Sequence, residues 1–159
     1  MGLRDIRNEY KISQLTAANI VGMPLRTYVR YENDENYGDK LKRQMIMNSI
    51  IKACEITETK GILSINQIKD RVSTLFDSEY KKEISFCYLF GSYAKGKAKN
   101  NSDVDLYISS SLSGLSFVGL IEKLRKTLHK KVDLIRSSEL NNNIELVNEI
   151  LKDGIKIYG

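Results

Sequence analysis

The chain has 159 residues, 42% of them hydrophobic, a net charge of +5 and two cysteines. That length allows one ordinary domain or a small module joined to a compact one, and the moderate charge permits a polyanionic partner without requiring one. No apolar run is long enough to span a membrane and no signal peptide is apparent, so a cytoplasmic protein with no membrane partner is expected. Cys54 and Cys87 lie far apart inside apolar patterns and read as reduced core residues, not as a disulfide or metal framework. Met1-Gly2 does not open a myristoylation site, because Ile6 stands where Ser or Thr is wanted.

Leu3, Ile6 and Tyr10 have helical spacing. Ser13 reads as the N-cap of a second helix carrying Leu15, Ala18 and Val21, which Gly22 ends. Pro24 suits the first turn of a third helix running to about Tyr31. Two short helices around a tight Gly turn form a helix-turn-helix. The string SQLTAANIVGMPLRTYVRYE resembles the DNA-binding unit of the Cro/C1 (Xre-like) repressors at Ser13, Gln14, Ala18, Gly22, Thr27, Tyr31 and Glu32. The resemblance implies that Leu25, Arg26 and Arg30 face base edges and that Gln14 and Thr27 meet phosphate. It implies operator DNA as a partner and is compatible with a homodimer. Residues 1–32 carry only a weak basic surplus, so a module kept for protein contact or dimerisation is the other reading.

Asn33 to Asp39 is polar and turn-rich. A long helix from Lys40 to about Thr59 is expected, with Met47, Ile50, Ile51 and Cys54 on one stripe. Ser64 to Gln67 matches a capping box ahead of an amphipathic helix carrying Ile65, Ile68, Val72, Leu75 and Phe76. Lys81 and Lys82 sit on a solvated turn.

Phe86 to Phe90 is a short aromatic-rich run that reads as a buried strand. Gly91 lets backbone come close to a ligand and Ser92 adds a hydroxyl and a helix start, so the turn exposes N–H groups suited to phosphate. A basic segment with Lys95, Lys97 and Lys99 follows, then a turn at Asn100 to Ser102. Asp103 and Asp105 stand two apart on a strand and present paired carboxylates to one face, while Val104 and Leu106 point into apolar packing. Adjacent carboxylates repel unless a proton or a cation intervenes, and hard cations such as Mg²⁺ take oxygen ligands and phosphate. A phosphate cradle next to a metal platform is the equipment of phosphoryl-group chemistry.

GSYAKGKAKNNSDVDLYI resembles the signature of the DNA polymerase β-like nucleotidyltransferases, and the short length is similar to their minimal nucleotidyltransferase (MNT) group. That family uses a third carboxylate on a later strand, which the resemblance assigns to Asp133 in Lys131 to Ile135. It implies nucleotide binding at Gly91 and Ser92. It also implies a site of Asp103, Asp105 and Asp133 that is both catalytic and metal-binding, with two Mg²⁺ ions and ATP as substrate.

Ser109 to Ser116 reads as a flexible loop. Phe117, Leu120, Ile121, Leu124 and Leu128 then have helical spacing, and His129 closes that helix as a surface residue. Ile144 to Lys152 is a helix closed by Gly154, and Ile155 to Tyr158 a last strand. The expected fold is therefore α+β: an all-helical helix-turn-helix module over residues 1–33, a linker and connecting helix over 34–62, and a polymerase β-like domain with a mixed sheet flanked by helices over 63–159. The MNT resemblance implies an antitoxin that transfers AMP to a tyrosine of a HEPN-type RNase toxin, with the helix-turn-helix regulating its own operon. Two alternatives stay open: a DNA-binding antitoxin that masks its toxin without catalysis, and a nucleotidyltransferase acting on a small molecule such as an aminoglycoside.

Overall fold

In the computed structural model, which describes residues 1–159, the chain forms two units, Met1–Glu55 and Ile56–Gly159.

The first unit is helical: α1 (Leu3–Glu9), α2 (Gln14–Val21), α3 (Leu25–Asn33) and α4 (Lys40–Cys54). Ser13 caps α2 by accepting the Thr16 N–H at 3.0 Å. Gly22 ends it in the left-handed region at φ 68°, where a side chain would be strained although space is free around it. Ala17 and Ala18 are fully buried, so small side chains bring the helices into close contact. Leu3, Ile6, Tyr28, Tyr31, Ile46 and Ile50 complete the core. Helix α4 is thus a core member of this unit. It was expected in a connector ending near Thr59, but it stops at Cys54, and a short bridge joins Thr57 to Lys60. Ile46 supplies the buried contact that the expected stripe lacked, and Ile51 is exposed.

A buried carboxylate ties α1 to the end of α3. The Glu32 side chain is inaccessible to solvent. It accepts from Arg7 Nε at 2.9 Å, Arg7 Nη2 at 3.0 Å and Gln14 Nε2 at 3.2 Å. Burial alone would push its carboxyl up; the hydrogen bonds from Arg7 and Gln14 and the Arg7 charge outweigh that and hold it below the usual range.

The second unit is built on a four-stranded sheet of order β3-β2-β1-β4, from β1 (Ile84–Phe90), β2 (Val104–Ser110), β3 (Val132–Arg136) and β4 (Ile155–Tyr158). Strand β1 runs antiparallel to β2 and β4, while β2 and β3 are parallel, so the sheet is mixed as expected. Helix α5 (Ile65–Leu75) opens with the capping box of Ser64 and Gln67 and continues into a π-helical turn, Phe76–Tyr80. The Phe76 ring meets Tyr158 of β4 edge-on at 5.2 Å. Helix α7 (Gly114–Leu128) provides the crossover that a parallel pair requires and buries Phe117, Leu120, Leu124 and Leu128. Leu124→Ala in this core would cost ~2–5 kcal/mol. The expected loop at Ser109 to Ser116 is shorter than predicted, because pairing with β1 carries β2 to Ser110 and α7 starts at Gly114.

Val104, Leu106 and Ile108 of β2 point into this core with Cys87, Leu89 and Leu134. Burial pushes the Cys87 thiol far up, which makes it an inert packing group. The alternate residues Phe86, Tyr88 and Tyr107 form an edge-to-face aromatic group. Helix α6 (Gly91–Ala94) is a single turn after β1, and α8 (Ile144–Asp153) packs on β1 and α6. No helix is long and apolar enough to cross a membrane.

Candidate active site

Strand pairing brings the signature residues together. Asp105 sits opposite Phe90 on β1 and opposite Asp133 on β3. Asp103 lies one residue before β2 and is exposed, Asp105 is half-buried, and Asp133 is exposed. The in-register parallel pair places two carboxylates about one strand spacing apart, ~4.8 Å between backbones, on the same sheet face.

Gly91 follows Phe90 directly and adopts φ 70°. A Cβ there would stand 2.1 Å from Asp105 Oδ2, so the chain turns against the carboxylate and leaves no room for a side chain. Ser92 comes next, half-buried, and its carbonyl accepts the Lys97 N–H at 2.9 Å. Tyr93 is buried and anchors the turn in the core.

Burial, then the charges of Asp133, Asp103 and Glu149, push the Asp105 carboxyl up to about 6; the nearby Lys95 ammonium opposes them. Glu149, on α8, is a fourth carboxylate that the motif does not include. It accepts a hydrogen bond from Lys95 at 2.6 Å. Nothing in the local pattern of α8 signals this, because the pair joins residues 54 apart in sequence. Lys97 and Lys99 are exposed.

The carboxylates do not converge as they stand: no group of three or more acidic, His or Cys side chains is close enough to hold a metal ion. The donor chemistry fits a hard divalent cation: three carboxylates on adjacent strand ends, one of them made reluctant to ionise by burial and then by the charges beside it. Asp103, Asp105 and Asp133 are the residues that would hold it.

The residues expected to meet DNA divide into two groups. Leu25, Arg26 and Arg30 are exposed on α3, and Thr27 is partly so. The Arg30 guanidinium lies 5.5 Å from the Tyr37 ring centre. Gln14 is partly exposed, and its amide nitrogen donates to the buried Glu32 at 3.2 Å. His129 is the left-handed C-cap of α7 and is exposed, the surface helix end expected of it.

The family described as Polymerase beta, Nucleotidyltransferase matches residues 70–159. A Methanocaldococcus jannaschii protein, MJ1379, provisionally named a protein adenylyltransferase, is 32% identical over 87 residues, 52% of this chain and 85% of that protein. The protein adenylyltransferase MntA of Thermococcus cleftensis is 41% identical over 58 residues, 35% of this chain and 59% of that protein. Among solved structures, a Shewanella oneidensis complex of a tri-AMPylated HEPN toxin with its MNT antitoxin gives a TM-score of 0.46 at 21% identity, covering 59% of this chain and 71% of that one.

Proposed function

The chain belongs to the polymerase beta nucleotidyltransferase family and is a nucleotidyltransferase, and on that premise we propose that it moves AMP from ATP onto a tyrosine of a partner toxin of the HEPN type, silencing it as an antitoxin. The observation that carries the reading is the Gly91 turn packed against Asp105, with Asp105 in register with Asp133. A protein acceptor is supported by the names of its relatives, which are protein adenylyltransferases, and the HEPN class of that acceptor rests on the MNT resemblance.

The triphosphate lies along the turn at Gly91 and Ser92, where backbone N–H groups meet its oxygens. Asp103, Asp105 and Asp133 would hold Mg²⁺, two ions in the family resemblance, and the metal would supply charge neutralisation at the phosphates and at the attacking and leaving oxygens. The tyrosine oxygen forms a bond to the α-phosphorus, the bond to the bridging oxygen of the β-phosphate breaks, and pyrophosphate departs. Asp133, the more exposed of the in-register pair, assists removal of the phenolic proton. Lys95 leaves Glu149 for the phosphates as the nucleotide enters.

The test is label transfer from ATP to the toxin encoded beside this protein. Label at the α-phosphate reaches the toxin with the wild type, and Asp105→Asn lowers the rate at least ~100-fold. Transfer from the γ-phosphate, or an inert wild type, overturns the assignment. Neutralisation of the toxin in cells by Asp105→Asn would favour masking without catalysis, and transfer to an aminoglycoside alone would favour the small-molecule alternative.

The first unit is proposed as a helix-turn-helix that binds operator DNA as a homodimer and regulates the operon. Support comes from the family resemblance and from the exposure of Arg26 and Arg30 on α3. A gel shift at fixed salt should show Arg26→Ala losing ~1–3 kcal/mol of preference for the promoter over random DNA. A wild type without preference for that promoter removes this role.

A further inference from the structure

Lys130 is fully buried, one of only two charged or polar residues in that class. It stands between His129, the C-cap of α7, and the start of β3. Taking an ammonium out of water is costly, and a Met or Leu would fill the same space without that cost. A lysine here needs a task that a hydrocarbon cannot perform.

Its hydrogen bonds indicate the task. Lys130 Nζ donates to the carbonyl of Asn100 at 2.6 Å and to that of Lys60 at 3.4 Å. Both acceptors are main-chain oxygens, so the ammonium acts as a tether between segments. Asn100 belongs to the turn that delivers the chain to Asp103. That turn is closed internally: Lys99 N donates to Ser102 Oγ at 2.8 Å and Ser102 N to the Lys99 carbonyl at 3.1 Å. On the far side of Asp103, Val104 N donates to the Lys131 carbonyl at 2.8 Å. Asp103 is therefore held between two clamps, at Asn100 and at Val104. Both clamps are supplied by consecutive residues, Lys130 and Lys131, which lead directly into the strand bearing Asp133.

We infer that Lys130 is a positioning residue: its buried ammonium fixes the Asn100 turn to the root of β3, so that Asp103 is presented together with Asp105 and Asp133. What the positioned carboxylate then does rests on the function proposed above; the positioning itself does not. Burial lowers the Lys130 pKa, and the charge of Glu58 opposes that.

Lys130→Met nearly conserves volume and removes the donors. In the full-length, ligand-free protein, amide hydrogen exchange should speed up about tenfold or more at Ser102 and Val104, while the β2 and α7 amides at Ile108 and Leu124 keep their wild-type rates. Unchanged exchange at Ser102 and Val104 would overturn the inference. So would an equal rise throughout the unit, which marks a general packing role. Lys130→Gln is read in the same way should the Met variant not fold. A second arm measures Mn²⁺ binding with a non-hydrolysable ATP analogue by electron paramagnetic resonance. Lys130→Met should weaken it about tenfold, and should have no further effect once Asp103→Asn is present. Full additivity of the two substitutions would overturn the coupling. A wild type that binds no Mn²⁺–nucleotide would count against the proposed function, and the exchange arm would still decide the positioning.

Discussion

The two units bury a carboxylate in opposite ways. Glu32 of the helical unit is inaccessible and fully paired, receiving two hydrogen bonds from Arg7 and one from Gln14. Asp105 of the sheet unit is half-buried in a hostile environment: burial raises its carboxyl first, the charges of Asp133, Asp103 and Glu149 add to that, and Lys95 opposes them. The first carboxyl is held below its usual range and the second is raised to about 6. A group whose charge is satisfied internally holds a fold together. One whose charge is left wanting is ready for something from outside.

Three substitutions sharpen this contrast, and the largest effect belongs to the paired group. Glu32→Ala leaves Arg7 with its carboxylate partner gone and should cost about 3–5 kcal/mol in the helical unit. Scanning calorimetry should show its transition fall while that of the sheet unit stays; equal losses in both would mean that the units melt as one. Gly91→Ala comes next. It forces a side chain into the left-handed region and onto Asp105, and a displacement of this kind can cost roughly 100-fold in transfer rate. A rate near wild type would show that Asp105 has room to retreat.

Asp105→Asn gives the smallest change in stability, and of the opposite sign to Glu32→Ala. Relief of repulsion should raise the apo stability of the sheet unit by about 1 kcal/mol, a figure reduced for solvent screening of a half-exposed group. A raised carboxyl binds its proton more tightly when folded. The Asp105 contribution therefore favours folding in mild acid and is lost as pH rises from the ordinary aspartate range through about 6. Glu32 behaves inversely: its contribution is present above the ordinary glutamate range and disappears as pH falls through its lowered value. As pH falls from 7 to 5, the melting of wild type should approach that of Asp105→Asn, in the sheet unit alone. Parallel curves would show that folding does not raise the Asp105 carboxyl.

The sheet unit was the more legible of the two in sequence. Its strands announce themselves by runs such as Phe86 to Phe90, and Gly91, Ser92, Asp103 and Asp105 fall in one continuous stretch whose spacing is local. Asp133 came from family resemblance, and its register with Asp105 required the structure. What stayed hidden depends on contacts distant in sequence. Glu149 reaches Lys95 from 54 residues away. Glu32 looks like a solvated helix end until Arg7, 25 residues earlier, is folded over it. Lys130 and Lys131 are alike in sequence, yet one is buried and the other exposed. Helix α4 was placed in a linker because its pattern alone does not say which unit receives Ile46 and Ile50.

The parallel pairing of β2 with β3 has a consequence for how the site comes into being. A hairpin could have joined Asp105 to a neighbour within a few residues, early and cheaply. Here the partner strand arrives only after the whole of α7 has been made and laid down, because parallel strands cannot be joined by a tight turn. Loop-closure entropy makes such non-local pairing late. During synthesis the nucleotide-facing turn at Gly91 can form before its third carboxylate exists. On the proposed function, a nascent chain that holds Asp103 and Asp105 but not yet Asp133 should remain idle until β3 docks.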